Sequence, residues 1–275
     1  MKTLLKKYPI GSRFVLAILL FALALILSGL INKGVIKMYF PYASAILLGI
    51  ATWLLYKTDK KSLREIGLNL SLRNISFLPL GVCIGAIAFL TTKYARALYT
   101  GESIVVSETV NYSTILYALY IILPTVAVEE FLFRGYLFKK TIDTTNVIVA
   151  NVIFSILFML IHVFDENVIN NKGMMIFLII SIPVGHLLFA TALLKSKTLL
   201  FPIGLHLGNN WATQHVITDS DTGDSFLYII NNASFDTWPE FIGFILIFNS
   251  VFLFFTFLIW KWDAIFGVKK LKKSN

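Results

Sequence analysis

Ionisable and amide side chains interrupt three otherwise apolar stretches of this sequence, and together they could do chemistry. A carboxylate can take a proton from water, an imidazole can bind a metal or move a proton, and an amide can donate to an oxyanion. Such groups are costly inside a membrane and usually functional. The candidate site residues are Glu129, Glu130, Arg134, His162, His206 and Asn210.

Helical spacing divides the work between the two adjacent carboxylates. Residues four apart share a helix face, so Glu130 and Arg134 can pair within their helix. Glu129 is rotated by about 100° from Glu130 and has the apolar Phe133 at its own i+4 position. The spacing therefore predicts a structural Glu130–Arg134 pair and a Glu129 that is free for chemistry.

Structural roles are the alternative for each residue taken alone. A Glu–Arg pair can hold two helices together, and a lone intramembrane histidine is often a packing hydrogen bond. Adjacent carboxylates are harder to explain in this way, because two negative charges repel one another at low dielectric. The combination favours a site, whereas we interpret His186 and His215 as structural and Cys83 as a core residue.

The elements that must position these residues are membrane spans. Of the 275 residues, 57% are hydrophobic and only 14% are charged, against roughly a quarter charged in soluble domains. We predict an all-α fold, a polytopic bundle of about eight transmembrane helices that forms a single integral membrane domain over residues 1–275. The predicted spans are Phe14–Ile31, Met38–Tyr56, Ile75–Thr92, Tyr112–Phe138, Asn146–Phe164, Met174–Leu194, Leu199–Val216 and Phe241–Trp260.

Basic residues predict the orientation of this bundle. Eighteen Lys and Arg residues fall on the side of the two termini and five on the opposite side, which places both termini in the cytoplasm. We read the net charge of +9 as a topology signal and a contact with anionic lipid, without a nucleic-acid partner. The expected location is the plasma membrane.

One geometric difficulty follows from evenly placed spans. Glu129 would lie near the middle or the cytoplasmic half of its helix, and His162 near the outer end of the next. They can meet only if the two helices are offset, so we expect residues Thr141 to Asn151 to run partly in the cytoplasm or the interface.

Three other hydrolytic chemistries lack their motifs. The sequence contains no Gly-x-Ser-x-Gly nucleophile elbow and no His-Glu-x-x-His zinc helix. Gly223-Asp224 lies in a polar outer loop, which is the wrong place for an aspartyl intramembrane protease.

At the candidate residues the sequence resembles the CPBP family, which comprises CAAX-type prenyl endopeptidases, bacteriocin-processing enzymes and Abi proteins. The family pattern is Glu-Glu-x-x-x-Arg, then Phe-x-x-x-His, then His-x-x-x-Asn. Here these motifs are Glu129-Glu130 with Arg134, Phe158 with His162, and His206 with Asn210, in the same order and on separate spans. The resemblance covers Tyr112 to Trp211 and defines a catalytic core over residues 112–216.

The resemblance implies hydrolysis of a peptide bond in a membrane-associated, prenylated or leader-type substrate, in a pocket that faces the cytoplasm. Glu129 would activate a water, and Asn210 would donate to the oxyanion. Two mechanisms are open: Glu129, His162 and His206 could be the three protein ligands of a catalytic zinc, or Glu129 could act without metal while the imidazoles and Asn210 stabilise the oxyanion. The alternative function is a non-catalytic scaffold or self-immunity protein of the same family.

Overall fold

The computed structural model describes residues 9–69, 71–231 and 233–265 as a largely helical bundle. The predicted charges at Lys2, Lys6, Lys7 and beyond residue 265 lie outside the described residues. A short 3₁₀ turn, Leu63–Ile66, precedes the fourth helix. In chain order the α-helices are α1 Pro9–Ile31, α2 Gly34–Tyr39, α3 Ala43–Thr58, α4 Leu72–Thr100, α5 Tyr112–Phe133, α6 Tyr136–Thr144, α7 Val147–Val163, α8 Glu166–Ile169, α9 Lys172–Ser196, α10 Leu200–Trp211 and α11 Trp238–Ile265.

The long helices follow from apolar sequence and from polar caps. A helix satisfies its backbone groups internally, as a lipid environment demands, and only its first N–H groups need other acceptors. At the starts of α4, α5, α7 and α9, a backbone N–H donates a hydrogen bond to the side-chain oxygen of the residue that precedes the helix. These cap residues are Ser71, Asn111, Asn146 and Asn171. Each cap therefore marks where an apolar run becomes a helix.

Every predicted span contains a helix, although the helices differ in length. In the described part of the chain, five helical segments are long and apolar enough to cross a membrane. Helices α3 and α7, with 16 and 17 residues, are shorter apolar helices, and α10 has only 12 residues before a π-helical turn at Ala212–Val216. The multispan helical bundle is thus present, while the count of eight spans and the orientation stay predictions.

The fourth predicted span does not end where the sequence suggested. Helices α5 and α6 together form a 33-residue apolar segment, Tyr112–Thr144, broken at Gly135, where an added Cβ would collide with the carbonyl oxygen of Phe131. Glu129 consequently lies near the middle of the segment, and the turn to α7 comes only at Thr145–Asn146. Because the segment continues to Thr144, the helices that carry Glu129 and His162 are offset along the bundle, as the sequence required.

A small β-sheet corrects the all-α prediction. Strands β1 Ser103–Val106, β2 Ile217–Thr218 and β3 Leu227–Ile230 form a three-stranded sheet in the order β1-β3-β2. Strand β3 pairs antiparallel with β1 and parallel with β2. The strands are short and lie in loops between spans, where hydropathy does not predict secondary structure. Only the β-branched residues in these segments favoured strands.

The two ends of the bundle differ in charge. At the basic end, the described contacts join Arg13 and Lys140 to Asp59, and Lys195 to Asp263. At the opposite end, which we call the sheet end, Lys93 pairs with Asp219 beside the strands. The residues that the sequence assigned to opposite sides therefore gather at opposite ends.

Close packing of α4 against α10 fixes the height of the site. A Cβ added to Gly85 would collide with the carbonyl of Leu205, and one added to Gly208 with that of Val82; Gly81 and Gly204 make similar approaches. Small residues at four-residue spacing let two membrane helices approach closely. Cys83 lies on the other face of α4 and is exposed, so its prediction as a core residue is wrong.

Candidate active site

Contacts between α5–α6 and α7 bring the candidate residues to one level. The Arg134 guanidinium lies 4.1 Å from the ring centroid of Phe158, and Phe138 meets Phe154 one turn farther toward the basic end. The segment α5–α6 and helix α7 run antiparallel. One helical turn from these contacts toward the sheet end, His162 on α7 therefore lies at the same height as Glu130 on α5. The expected offset is therefore produced by α6 continuing past the site, alongside the first half of α7.

Glu130 and Arg134 lie beneath the site and are completely buried. Arg134 Nη1 donates to Glu130 Oε1 at 3.1 Å, and the guanidinium is held between the rings of Phe158 and Phe189, 4.1 and 5.2 Å from their centroids. Aromatic faces stabilise a desolvated cation. We call Glu130, Arg134, Phe158 and Phe189 the floor of the site.

His206 joins this floor to the chemistry above it. Its Nδ1 lies 2.9 Å from Glu130 Oε1, and its ring stacks on Phe189 with 4.8 Å between centroids. Since an ionised carboxylate only accepts hydrogen bonds, Nδ1 carries the proton and donates to Glu130. In the neutral imidazole, Nε2 is then an acceptor.

Glu129 is rotated by about 100° from Glu130 on its helix, and its side chain lines a cavity. Its side chain is 20% exposed whereas that of Glu130 is fully buried, and its Oε2 lies 3.7 Å from His206 Nε2. That separation is too long for a direct hydrogen bond but suits an oxygen atom held by both groups. Glu129 Oε2 has no hydrogen-bond partner among the described residues.

His162 and Asn210 lie on the same cavity as Glu129. The Nδ1 of His162 donates to the backbone carbonyl of Phe158 at 2.7 Å, which again leaves Nε2 as the acceptor. Asn209 Nδ2 donates to Asn210 Oδ1 at 3.3 Å, so the Asn210 NH₂ group remains as a donor. We call Glu129, His162 and Asn210 the wall of the site.

The cavity encloses about 600 Å³, within the range of small-ligand clefts. Its described lining comes from the site residues, from α4, α9 and α11, including Phe89, Met174 and Phe244, and from Gln214 in the π-helical turn. A pocket facing the cytoplasm would be lined by the opposite, basic halves of these helices. The cavity therefore lies toward the sheet end, so a cytoplasm-facing pocket and cytoplasmic termini, both predicted from the sequence, cannot both hold.

The two other histidines lie away from this water-accessible surface. His186 is fully buried, 5.8 Å from Phe138 between ring centroids. His215 Nδ1 donates to the carbonyl of Asp224 at 2.9 Å in the loop that precedes β3. Both positions agree with packing roles.

The three proposed zinc ligands are not grouped as a metal centre. Across residues 9–69, 71–231 and 233–265, no set of three His, Cys, Asp or Glu side chains is arranged to hold a metal ion. Of these three residues, only Glu129 and His206 approach each other within salt-bridge distance. The Nδ1 hydrogen bonds of His206 to Glu130 and of His162 to a backbone carbonyl leave both Nε2 atoms available, which is also the usual arrangement of histidines that bind a metal.

Sequence reasoning missed the residues that support the six candidates. Phe158 was noted only as part of a motif, yet its ring contacts Arg134, His162 and His206. Asn209 was visible as the neighbour of Asn210 but had no assigned role. Phe189 gave no signal, because one phenylalanine among 24 is indistinguishable from lipid-facing residues.

Comparison with protein families gives one match. The family model described as Type II CAAX prenyl endopeptidase Rce1-like matches residues 111–212, which cover α5 to α10 and all six candidate residues. The comparisons with curated proteins and with solved structures gave no match.

Proposed function

Because residues 111–212 match the family model of type II CAAX prenyl endopeptidases, we propose that the chain is an intramembrane endopeptidase in which Glu129 activates water without a metal. The observation that carries the proposal is the division between the adjacent carboxylates. Glu130 is buried in an ion pair, while the Glu129 side chain lines the cavity and is 20% exposed. Its Oε2 is a buried atom without a hydrogen-bond partner among the described residues, and it lies 3.7 Å from His206 Nε2.

The attacking water is held between Glu129 and His206. Both Glu129 Oε2 and His206 Nε2 are acceptors, so one water can donate one proton to each and direct a lone pair at the substrate carbonyl. Glu129 removes the proton as the C–O bond forms. The floor keeps His206 in the required tautomer, because Glu130 Oε1 accepts from Nδ1.

Asn210 is the oxyanion donor in this proposal. The Nδ1 hydrogen bonds of His162 and His206 make their Nε2 atoms acceptors, so neutral imidazoles are unsuited to the oxyanion role that the sequence suggested for them. The Asn210 NH₂ group is a donor without any change of protonation. His162 Nε2 can accept an N–H of the substrate backbone and so orient the peptide.

Collapse of the tetrahedral intermediate breaks the C–N bond and releases two products. Protonated Glu129 returns its proton to the leaving amine, and the carbonyl re-forms as the new carboxyl end. The water has then supplied OH to one product and H to the other, and Glu129 is again a carboxylate.

A cleavage assay with and without a chelator tests this function. Purified protein in proteoliposomes is incubated with a library of apolar peptides, and products are identified by mass spectrometry. We expect cleavage that a zinc chelator leaves unchanged. Activity that is lost with chelator and restored by zinc would replace the metal-free mechanism, and a folded wild-type protein that cleaves no peptide would favour the scaffold function.

A further inference from the structure

The cavity above Glu129 has its mouth at the sheet end of the bundle. The exposed residues on its lining are Met174, Thr213, Gln214 and Asp219, which lie at the start of α9, in the π-helical turn and just after β2. From these residues the lining descends to Glu129 and His206, near the middle of the bundle.

The other end of the site is closed. Glu130 and Arg134 have no exposed surface, and beneath them Tyr136, Phe138 and Phe201 are almost completely buried. None of the described residues that line the cavity comes from α6 or from the turn between α9 and α10. Among the described residues, the lining of the cavity therefore reaches the surface at the sheet end and not at the basic end.

The walls of this path are aromatic and its rim charges are neutralised. Lys93 pairs with Asp219 at 2.9 Å, and Arg96 pairs at 2.7 Å with Glu102, whose side chain is fully buried. Such a surface selects for apolar side chains and gives no net attraction to an acidic or basic peptide. Seven phenylalanines line it: Phe89, Phe158, Phe177, Phe189, Phe244, Phe248 and Phe252.

The distribution of basic residues assigns a side of the membrane to the mouth. Lys93 and Arg96 belong to the smaller group of five basic residues, whereas the closed end carries Arg13, Lys61, Lys140 and Lys195. Positive residues are enriched on the cytoplasmic side. The mouth accordingly faces away from the cytoplasm.

We propose that the substrate reaches Glu129 from the extracytoplasmic side, as an extended apolar segment of an exported or membrane-anchored polypeptide. Its cleavage rests on the proposed function, but the route itself does not. Cleavage would then act on a chain that has already been translocated, and polypeptides confined to the cytoplasm would be excluded.

Cysteine labelling of intact cells tests the route without any need for activity. In a Cys83→Ala background, Gln214→Cys probes the mouth, Ile182→Cys the cavity interior and Lys61→Cys the closed end. A membrane-impermeant maleimide added outside should label Gln214→Cys and Ile182→Cys, and should label Lys61→Cys only after permeabilisation. Labelling of Lys61→Cys from outside, or of Ile182→Cys only after permeabilisation, would overturn the proposal.

Blocking the mouth links the route to cleavage. A bulky impermeant maleimide on Gln214→Cys should abolish cleavage in the proteoliposome assay, while the same label on Lys61→Cys should leave the rate unchanged. Full cleavage by labelled Gln214→Cys would show that substrate takes another path. If wild-type protein cleaves nothing, the labelling of intact cells still decides the route, and only the proposed function fails.

Discussion

The floor and the wall of the site begin at neighbouring residues and differ in almost every physical respect. Glu130 is fully buried, bound to Arg134 and His206, and closed in by two aromatic rings. Each carboxylate has one buried oxygen, Oε2, without a hydrogen-bond partner among the described residues, but only the Glu129 side chain lines the cavity, where it is 20% exposed. A rotation of about 100° between successive helical residues is enough to place one carboxylate in each environment.

This difference indicates how a membrane protein can keep one carboxylate reactive. The floor neutralises Glu130 with Arg134 and uses it to fix the His206 tautomer, so its polar groups serve geometry. Glu129 lines the cavity, and in the proposed mechanism it is the base that takes a proton from water. Stability and reactivity are thus assigned to different residues, and substitutions should separate them.

The largest expected effect on stability belongs to the floor. Glu130→Gln leaves Arg134 without its counter-charge in a fully buried position, where breaking an ion pair costs about 3–5 kcal/mol. A thermal melt in detergent should show this loss, and the double variant with Arg134→Met should recover part of it. A Glu130→Gln protein that melts like wild type would show that the pair does not stabilise the floor.

Asn210→Ala should act on catalysis and leave stability intact. Removal of one oxyanion donor typically lowers kcat by about 10²–10³-fold, and we expect that loss with little change in KM. Asn209→Ala should have a smaller effect, because it removes only the hydrogen bond that orients the Asn210 amide. Equal rates for Asn210→Ala and wild type would assign the oxyanion to another group.

Packing between α4 and α10 should affect both regions together. Gly85→Ala adds a methyl group that collides with the Leu205 carbonyl and pushes apart the helices that set the height of His206. Overpacking of this kind costs about 1–3 kcal/mol. Gly29→Ala is the matched control, because nothing lies within 4 Å of its added Cβ, and only the Gly85 variant should lose thermal stability.

The smallest expected effect concerns Asp59 at the basic end. Burial acts to raise the pKa of this carboxyl, but hydrogen bonds from Tyr136 and Lys140 and the charges of Lys140 and Arg13 outweigh it, and the pKa is lowered. The stability that this group contributes is therefore present above its unfolded pKa of about 3.9 and is lost as pH falls through the folded value.

A pH series of melting curves checks the contribution of Asp59. Wild-type protein should lose stability on acidification, by roughly 1 kcal/mol for a partly exposed group, and Asp59→Asn should lose less. Parallel acid curves for the two proteins would show that other carboxylates dominate.

The residues that the sequence singled out, Glu129, His162, His206 and Asn210, lie on one cavity, and they could be singled out because their signal was chemical. Polar residues in apolar runs are few, and helical spacing alone separated Glu129 from the Glu130–Arg134 pair. The same reasoning could not give the direction of the cavity or the outward face of Cys83. Both depend on how helices pack, and an apolar helix surface does not reveal whether it meets lipid or protein.

The glycines illustrate this limit. Gly85 and Gly29 occur in similar apolar helices, yet only Gly85 lies against another backbone. Likewise, the offset between α5 and α7 depended on a helix break at Gly135 and on the continuation to Thr144. The need for an offset was predictable from helix rise, but the structure that provides it was not.

The most direct test of the account compares cleavage and stability of Glu129→Gln with wild type in the same preparation. Glutamine keeps the size and most hydrogen bonding of the side chain but cannot take a proton from water. If Glu129 is the base, cleavage falls by about 10²–10⁴-fold while the melting temperature is unchanged. Normal cleavage by Glu129→Gln, or a loss of folding equal to that of Glu130→Gln, would contradict it.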